Sequence, residues 1–257
     1  MFNFKYLKYD IHDDGVAFIN LDRKPVNALN ISLLNELDKV LDDIKLRDDI
    51  RVVIFRSLQK HFSAGADLKE RSSMNGRDTL RFIEIINNVF NKIENLNVPT
   101  IASINGVALG GGLELALCCD FRIASENSLV GLTETSLGII PGAGGIFRLI
   151  DLIGKNKSKY WIFTAQQFSS ENAYQEGVID FISSDDQLLG TTLELSQEIL
   201  DNSPSAIIQA KSFINNISNE RKKLLKLQLE YYKKVYKSDD KVEAIKAFLD
   251  KRKPNWK

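Results

Sequence analysis

Residues Asn105–Asp120 read N-G-V-A-L-G-G-G-L-E-L-A-L-C-C-D, and this segment says most about how the chain folds. The run Thr100–Ile104 before it has the length of a buried strand, and the apolar run after Gly112 has the length of a helix. The three glycines therefore lie where a strand turns into a helix N-terminus. Backbone N–H groups lack partners at such a terminus and the helix dipole favours negative charge. A carboxylate, Glu114, stands beside this turn.

Strand and helix patterns alternate on the N-terminal side of this segment and just beyond it. Residues 4–21 alternate apolar and polar side chains and break at Asp13-Asp14-Gly15, which predicts a β-hairpin. The other predicted elements are helices at 31–44 and 79–95 and strands at 51–55, 100–104 and 121–124. Alternation at this spacing is typical of parallel βαβ units, so the first two-thirds of the chain is predicted to be α/β.

Helical patterns dominate after Gly142. The predicted elements are a short strand at 178–182 and helices at 185–201, 204–217, 220–237 and 240–250. The sequence thus predicts a core of residues 1–200 followed by a helical region of residues 201–257. No long linker separates the two, so the boundary near residue 200 is soft.

Two further segments rich in small residues carry polar groups. His61–Glu70 reads H-F-S-A-G-A-D-L-K-E, and Gly131–Gly145 reads G-L-T-E-T-S-L-G-I-I-P-G-A-G-G. Small residues let the backbone approach a ligand closely, and Glu134 is predicted to lie at the end of a strand. Each segment alone has a structural alternative: close packing of strand on helix for the triple glycine, an ordinary small-residue loop for His61–Glu70, and a cap or surface position for Glu134. Glu114 and Glu134 together favour an enzyme site built from two acids and backbone amides.

Composition excludes several other classes of protein. The 257 residues hold 34 Lys and Arg against 34 Asp and Glu, so overall charge gives no reason to expect a nucleic-acid partner. His12 and His61 are the only histidines, which argues against a Ser-His-Asp triad or a multi-histidine metal site. Cys118 and Cys119 are adjacent in a helical run and predict small core residues, with neither a disulfide nor a metal site. No apolar run is long enough to span a bilayer and the first residues show no targeting pattern, so we expect a cytoplasmic protein.

The three segments together resemble the crotonase (enoyl-CoA hydratase/isomerase) superfamily. The resemblance rests on F-S-A-G-A-D-L-K-E, on N-G-V-A-L-G-G-G-L-E-L-A-L-C-C-D, on T-E-T-S-L-G-I-I-P-G-A-G-G-I-F-R-L and on the ending F-L-D-K-R-K-P-N-W. It is collinear over nearly the whole chain. The wording A-D-L-K-E-R is nearest the branch that includes methylglutaconyl-CoA hydratase. Ile146-Phe147 departs from the Thr-Gln of most relatives, which affects only local packing.

The resemblance implies a crotonase-type spiral of repeated ββα units, with residues 201–257 as a C-terminal region that forms trimers or dimers of trimers. It also implies an oxyanion hole formed by the N–H groups of Ala66 and Gly111, and Glu114 and Glu134 as the catalytic acid/base pair. The residues implied in CoA binding are Ala64, Ala66, Asp67, Leu68, Lys69 and Gly111. The substrate is then an acyl-CoA thioester, with no metal and no cofactor beyond that CoA.

The retention of both glutamates favours a hydratase, because relatives that isomerise double bonds or cleave other acyl-CoAs commonly lose or move one acid. An isomerase or other acyl-CoA lyase, and a noncatalytic CoA- or RNA-binding protein, are the alternatives. RNA binding is disfavoured because Ile31–Arg51, where RNA-binding relatives carry a lysine-rich helix, holds six acidic and four basic residues. The length and branching of the acyl chain are not readable from these motifs.

Overall fold

The computed structural model describes residues 3–216, 221–237 and 239–254. The strands are β1 (Leu7–Ile11), β2 (Val16–Leu21), β3 (Val52–Ser57), β4 (Thr100–Ile104), β5 (Val107–Leu109), β6 (Phe121–Ser125), β7 (Leu129–Gly131), β8 (Phe168–Ser169) and β9 (Phe181–Ser183). The α-helices are α1 (Ile31–Lys45), α2 (Leu68–Ser72), α3 (Gly76–Glu94), α4 (Gly111–Ala116), α5 (Gly145–Thr164), α6 (Ser170–Glu176), α7 (Leu188–Leu200), α8 (Pro204–Asn216), α9 (Arg221–Tyr236) and α10 (Asp239–Leu249). A 3₁₀ helix spans Glu134–Leu137.

The larger sheet has six strands in the order β1-β2-β3-β4-β6-β9. Strand β1 runs antiparallel to β2, with which it forms the predicted hairpin, and the other pairs in this sheet are parallel. The inner strands of such a sheet are covered on both faces, and β2, β3 and β4 are accordingly buried along all or most of their length, whereas the edge strand β1 is partly exposed. In β3, Val53 and Phe55 pack with the main core, whereas Val52 and Ile54 pack in a second cluster with Leu188 of α7.

A smaller sheet holds β5, β7 and β8. The chain visits both sheets in turn, because β4 and β6 belong to the larger sheet and the strand after each of them belongs to the smaller one. A parallel bridge between Ser63 and Ala108 brings the segment after β3 against β5 in the same way. The predicted α/β fold of ββα units is confirmed, and the turns that leave the smaller sheet carry the polar segments found in the sequence.

The helices that follow β9 cover two different parts of this core. Helix α7 packs on β3, β4 and β6, while α9 contacts α3 and α10 contacts the 3₁₀ helix. The division at residue 200 and the role of residues 201–257 in assembly stay predictions. The predicted ends at residues 217 and 220 lie outside the described residues. No helix in the described part of the chain is long and apolar enough to cross a membrane.

Most predicted elements agree with the structure to within a few residues, but the strand predicted at 178–182 begins only at Phe181. The N–H groups of Val178 and Ile179 both donate to the carbonyl of Ala173 and so close the end of α6 instead of pairing with β6. Both side chains are buried, which is why their pattern resembles a strand. Helix α2 and the two-residue strand β8 are too short to produce a periodic signal.

Candidate active site

The segment after β3 and the turn after β5 are joined by backbone hydrogen bonds. The N–H of Ser63 donates to the carbonyl of Val107, and the N–H of Leu109 donates to the carbonyl of Ser63, both at 3.0 Å. The N–H of Gly110 donates to the carbonyl of Gly131 at the end of β7 at 2.8 Å. Three segments distant in sequence therefore meet at one edge of the smaller sheet.

Gly65 is required at this meeting point for two reasons. Its φ of +88° lies in the left-handed region, which residues with a Cβ rarely adopt. A Cβ at this position would also lie 2.7 Å from the carbonyl oxygen of Leu109. The same Cβ would lie 3.2 Å from the nitrogen of Gly111, so the two segments are in contact. Within the described residues, the N–H groups of Ala66 and Gly111 donate no hydrogen bond. These amides are free to bind a ligand oxygen.

Glu114 lies in the first turn of α4 and is 3% exposed. Its Oε1 accepts hydrogen bonds from the N–H groups of Ala143 and Gly145, each at 2.8 Å. Gly145 has no side chain because a Cβ there would lie 2.8 Å from Cγ of Glu114. Oxygen Oε1 is fixed by the protein, and Oε2 is the oxygen left for a ligand.

Glu134 begins the 3₁₀ helix, three residues after β7 ends at Gly131. It therefore lies in the turn that follows the strand and not at the strand end where it was predicted. Its carboxyl is buried, and its Oε2 has no hydrogen-bond partner among the described residues. Its Oε1 packs close to Gly110, where a Cβ would lie 3.2 Å away. A buried oxygen without a partner is costly, so this group needs a bound molecule or a proton.

One cavity of about 70 Å³ brings these groups together. Its polar wall is formed by Ala66, Gly110, Gly111, Glu114, Thr133 and Glu134. Its apolar wall is formed by Leu68, Phe82, Ile83, Ile86, Ile139 and Ile140. Of the residues that the sequence singles out, both glutamates, Ala66, Gly111 and Leu68 thus share one cavity. A carboxyl pair beside free amides in an apolar enclosure can move protons and stabilise a developing oxyanion.

The two carboxyls have raised pKa values, mainly because burial disfavours their charged forms. The pKa of Glu114 is pulled back by the N–H groups of Gly145 and Ala143 and by the charges of Arg148 and Arg71. The charge of Glu114 raises the pKa of Glu134 further, well above the ordinary value. The pair titrates as a unit, and when it holds one proton that proton resides mainly on Glu134.

The turn at residues 143–145 is held by two side chains that the sequence analysis did not single out. Asn87 of α3 donates to the carbonyl of Gly142 at 2.7 Å. Arg148, 3% exposed, donates to the carbonyl of Ala143 and to Glu94 Oε2, both at 2.9 Å. The sequence signal available for this role was a charged residue, Arg148, directly after the apolar pair Ile146-Phe147.

Arg71 and Tyr232 also line the cavity, and their pairing joins residues 161 positions apart. Arg71 donates to the Tyr232 hydroxyl, and its guanidinium lies 4.9 Å from the ring centroid of Phe82. Burial raises the pKa of Tyr232, so the phenol is neutral and accepts this bond. No local pattern in α9 distinguishes this tyrosine from Tyr231, which is 53% exposed.

The remaining residues implied in CoA binding lie beside the cavity and do not line it. Ala64 is exposed and its N–H donates to the carbonyl of Val26. The Asp67 carboxylate accepts from the N–H groups of Lys69 and Glu70 and pairs with Arg23, so it caps α2. The Lys69 side chain is exposed. Their contacts with CoA stay predictions.

Replacing Glu134 by glutamine is expected to stabilise the protein near neutral pH. A carboxyl with a raised pKa binds more protons when folded than when unfolded, so it costs stability as pH rises above its ordinary value of 4.5. Glutamine resembles the protonated form and removes that cost, raising Tm by about 2–4 °C per kcal/mol gained. Thermal melting of the variant and the wild type at about pH 5 and about pH 8 measures this difference in Tm.

The Tm difference between Glu134→Gln and the wild type should be larger at the higher pH. Glu84→Gln, an exposed position on α3, is the matched control and should show little change at either pH. A difference for Glu134→Gln that is the same at both pH values would contradict the raised pKa.

Comparison with solved structures gives the class of protein. The crystal structure of an enoyl-CoA hydratase from Bacillus anthracis superposes with a TM-score of 0.82 and 39% identity, covering 98% of this chain and 99% of that one. The arrangement of two sheets and the cavity at their edge is therefore that of a crotonase fold.

Sequence comparison agrees with this class. The profile of a family described as enoyl-CoA hydratase/isomerase matches residues 12–257. The short-chain-enoyl-CoA hydratase of Clostridium acetobutylicum is 37% identical over 241 residues, covering 93% of this chain and 92% of that protein. The mitochondrial methylglutaconyl-CoA hydratase of Mus musculus is 38% identical over 250 residues, covering 95% and 80%. The chain belongs to the enoyl-CoA hydratase/isomerase family, and the predicted resemblance is confirmed.

Proposed function

We propose that this protein is an enoyl-CoA hydratase that adds water across the double bond of a trans-2-enoyl-CoA. The observation that carries the proposal is the pair of buried, electrostatically coupled carboxyls in the cavity that also holds two free amides. Hydration needs one group to take a proton from water and another to give a proton to carbon. A pair that shares one proton supplies both.

In this mechanism the thioester oxygen accepts hydrogen bonds from the N–H groups of Ala66 and Gly111. Ionised Glu114, with Oε1 fixed by two amides, takes a proton through Oε2 from a water molecule, whose oxygen attacks C3. Neutral Glu134 gives its proton to C2. The negative charge that gathers on the thioester oxygen is stabilised by the two amides. Water has then been added, the proton has moved from Glu134 to Glu114, and exchange through solvent restores the pair.

Short acyl chains fit this site better than long ones. The cavity is small, about 70 Å³, and its wall includes the bulky side chains of Phe82, Ile83, Ile86 and Tyr232. The relatives from Clostridium acetobutylicum and Mus musculus are described as hydratases of short-chain enoyl-CoA and of methylglutaconyl-CoA. We therefore propose crotonyl-CoA or a methylglutaconyl-type thioester as the kind of substrate.

Isomerisation of an enoyl-CoA is the second candidate, since the family description covers both activities. An isomerase moves a proton between carbons and needs no bound water, so one carboxyl would suffice. The second buried carboxyl, with an oxygen that lacks a partner in the described residues, favours hydration. An RNA-binding role has less support, because Lys92 beside α1 is neutralised by Asp38 and Asp42.

The test is to mix the purified protein with crotonyl-CoA and with 3-methylglutaconyl-CoA and to follow the absorbance of the conjugated thioester. We expect this absorbance to fall with at least one of them. In water labelled with a heavy oxygen isotope, the product should carry the labelled oxygen on C3. The double variant Glu114→Gln, Glu134→Gln is the control and should be inactive. Product without labelled oxygen would identify an isomerase, and full activity of the double variant would exclude the mechanism.

The proposal needs no cofactor besides the CoA of the substrate. The trimer or dimer of trimers, the CoA contacts of Ala64, Asp67, Leu68 and Lys69, and the cytoplasm as compartment stay predictions. The mouse relative is described as mitochondrial.

A further inference from the structure

Arg71 stands between the catalytic cavity and a second cavity. It lies in the last turn of the short helix α2 and lines both spaces. The second cavity is about 30 Å³, and its apolar wall includes Leu137, Ile139, Ile245, Phe248 and Leu249. The rest of its wall includes Thr79, Tyr236 and Lys241, and Arg71 is a cation that borders both cavities.

The guanidinium of Arg71 has no carboxylate within ion-pair distance among the described residues. It donates to the Tyr232 hydroxyl and stacks on Phe82. These two contacts use one N–H and one face of the guanidinium. The other N–H groups of the guanidinium remain for a ligand. Arginines in partly buried sites usually have an acidic partner, and among the described residues that line this cavity the acids are Glu114 and Glu134.

Building on the hydratase function proposed above, we propose that Arg71 binds a carboxylate at the far end of the acyl chain. The preferred substrates are then enoyl-CoA thioesters of dicarboxylic acids, of the glutaconyl type. The planar guanidinium binds a carboxylate through two parallel hydrogen bonds, and Tyr232 fixes the orientation of its fork.

Electrostatics in the cavity agree with this assignment. The glutamate pair repels a second negative charge, so a dicarboxylic chain needs a nearby cation to enter. The charge of Arg71 is the weakest of the effects on the pKa of each glutamate, but it lowers both, so it is felt in the space that a second carboxylate would enter. A long apolar chain would have to part Arg71 from Tyr232 to reach the second cavity.

The experiment compares crotonyl-CoA with glutaconyl-CoA, two thioesters that differ by one carboxylate. We measure kcat/KM for both with the wild type, with Arg71→Met and with Arg81→Met, an exposed arginine on α3 that serves as the matched control. The kcat/KM for glutaconyl-CoA divided by that for crotonyl-CoA should fall by about 30-fold or more in Arg71→Met and stay unchanged in Arg81→Met. A purely structural role of Arg71 would lower kcat/KM equally for both substrates. An unchanged ratio of the two kcat/KM values would therefore overturn the proposal.

Inhibition of the wild type gives a second measurement that needs no variant. Glutaryl-CoA and butyryl-CoA are saturated analogues with and without the carboxylate. Glutaryl-CoA should inhibit about 10-fold more tightly or better, and equal or weaker inhibition would overturn the proposal. If the wild type hydrates crotonyl-CoA but shows neither preference, this inference alone fails. If it hydrates neither thioester, the proposed function fails, and this inference fails with it.

Discussion

Replacing Glu114 by glutamine is expected to lower kcat for crotonyl-CoA hydration by about 10³-fold, the range typical of a lost general base. The amide oxygen of glutamine can still accept from the N–H groups of Ala143 and Gly145, so the fold of the turn is kept. What is lost is the second oxygen, which can no longer take a proton from water. The effect therefore falls on kcat, with KM changed by only about 3-fold.

Steady-state kinetics in both directions check this expectation. The equilibrium constant is a property of the reaction, so kcat/KM must fall by the same factor for hydration of crotonyl-CoA and for dehydration of 3-hydroxybutyryl-CoA. Glu176→Gln is the matched control, because this carboxylate accepts from Trp161 Nε1 at 2.7 Å and lies outside the cavity. A Glu114→Gln variant with more than about one-tenth of wild-type kcat would contradict the assigned role.

Replacing Gly65 by alanine is expected to lower kcat by about 10²–10³-fold, the cost of losing one oxyanion donor. The added Cβ would meet the carbonyl oxygen of Leu109 at 2.7 Å and the nitrogen of Gly111 at 3.2 Å. Either the loop before Ala66 or the turn before α4 has to move, and the two free amides then no longer point at one oxygen. Activity is lost although no group that reacts has been changed.

Gly177→Ala separates crowding from backbone strain. Gly177 also has a positive φ, of +85°, but a Cβ there would meet nothing within 4 Å. This variant should lose about 1–2 kcal/mol of stability from its backbone conformation and retain its activity. Melting temperature and kcat of both variants give the comparison. Equal activity of Gly65→Ala and Gly177→Ala would show that the two amides do not act together.

The sequence predicts this site well where the signal is local. Glu114 follows a triple glycine at a strand-to-helix turn, and this pattern, together with the second glutamate, predicted a carboxyl beside backbone amides. The register of the parallel strands then brings Gly131 against Gly110, and this is why Glu134 reaches the same cavity. The 3₁₀ helix at Glu134 was not predicted, since a single turn has no periodicity.

The residues that the sequence missed are those whose partners are remote. Tyr232 meets Arg71 only because α9 packs on α3, and Arg148 meets Glu94 only because α5 begins beside the end of α3. The order of the two glutamate pKa values was not predictable either, because it depends on which carboxyl accepts backbone hydrogen bonds. Contacts between segments distant in sequence, which motifs do not encode, set these properties.

Glu114 also has a consequence for how this chain can evolve. Its Oε1 closes the turn at residues 143–145, so the residue that we assign to the reaction is also part of the local architecture. A mutation to a shorter or apolar side chain removes both functions in one step. Descendants that adopt another chemistry must therefore first acquire a different closure for that turn, or keep a glutamate that no longer reacts. Selection for folding alone can thus preserve an acid at position 114.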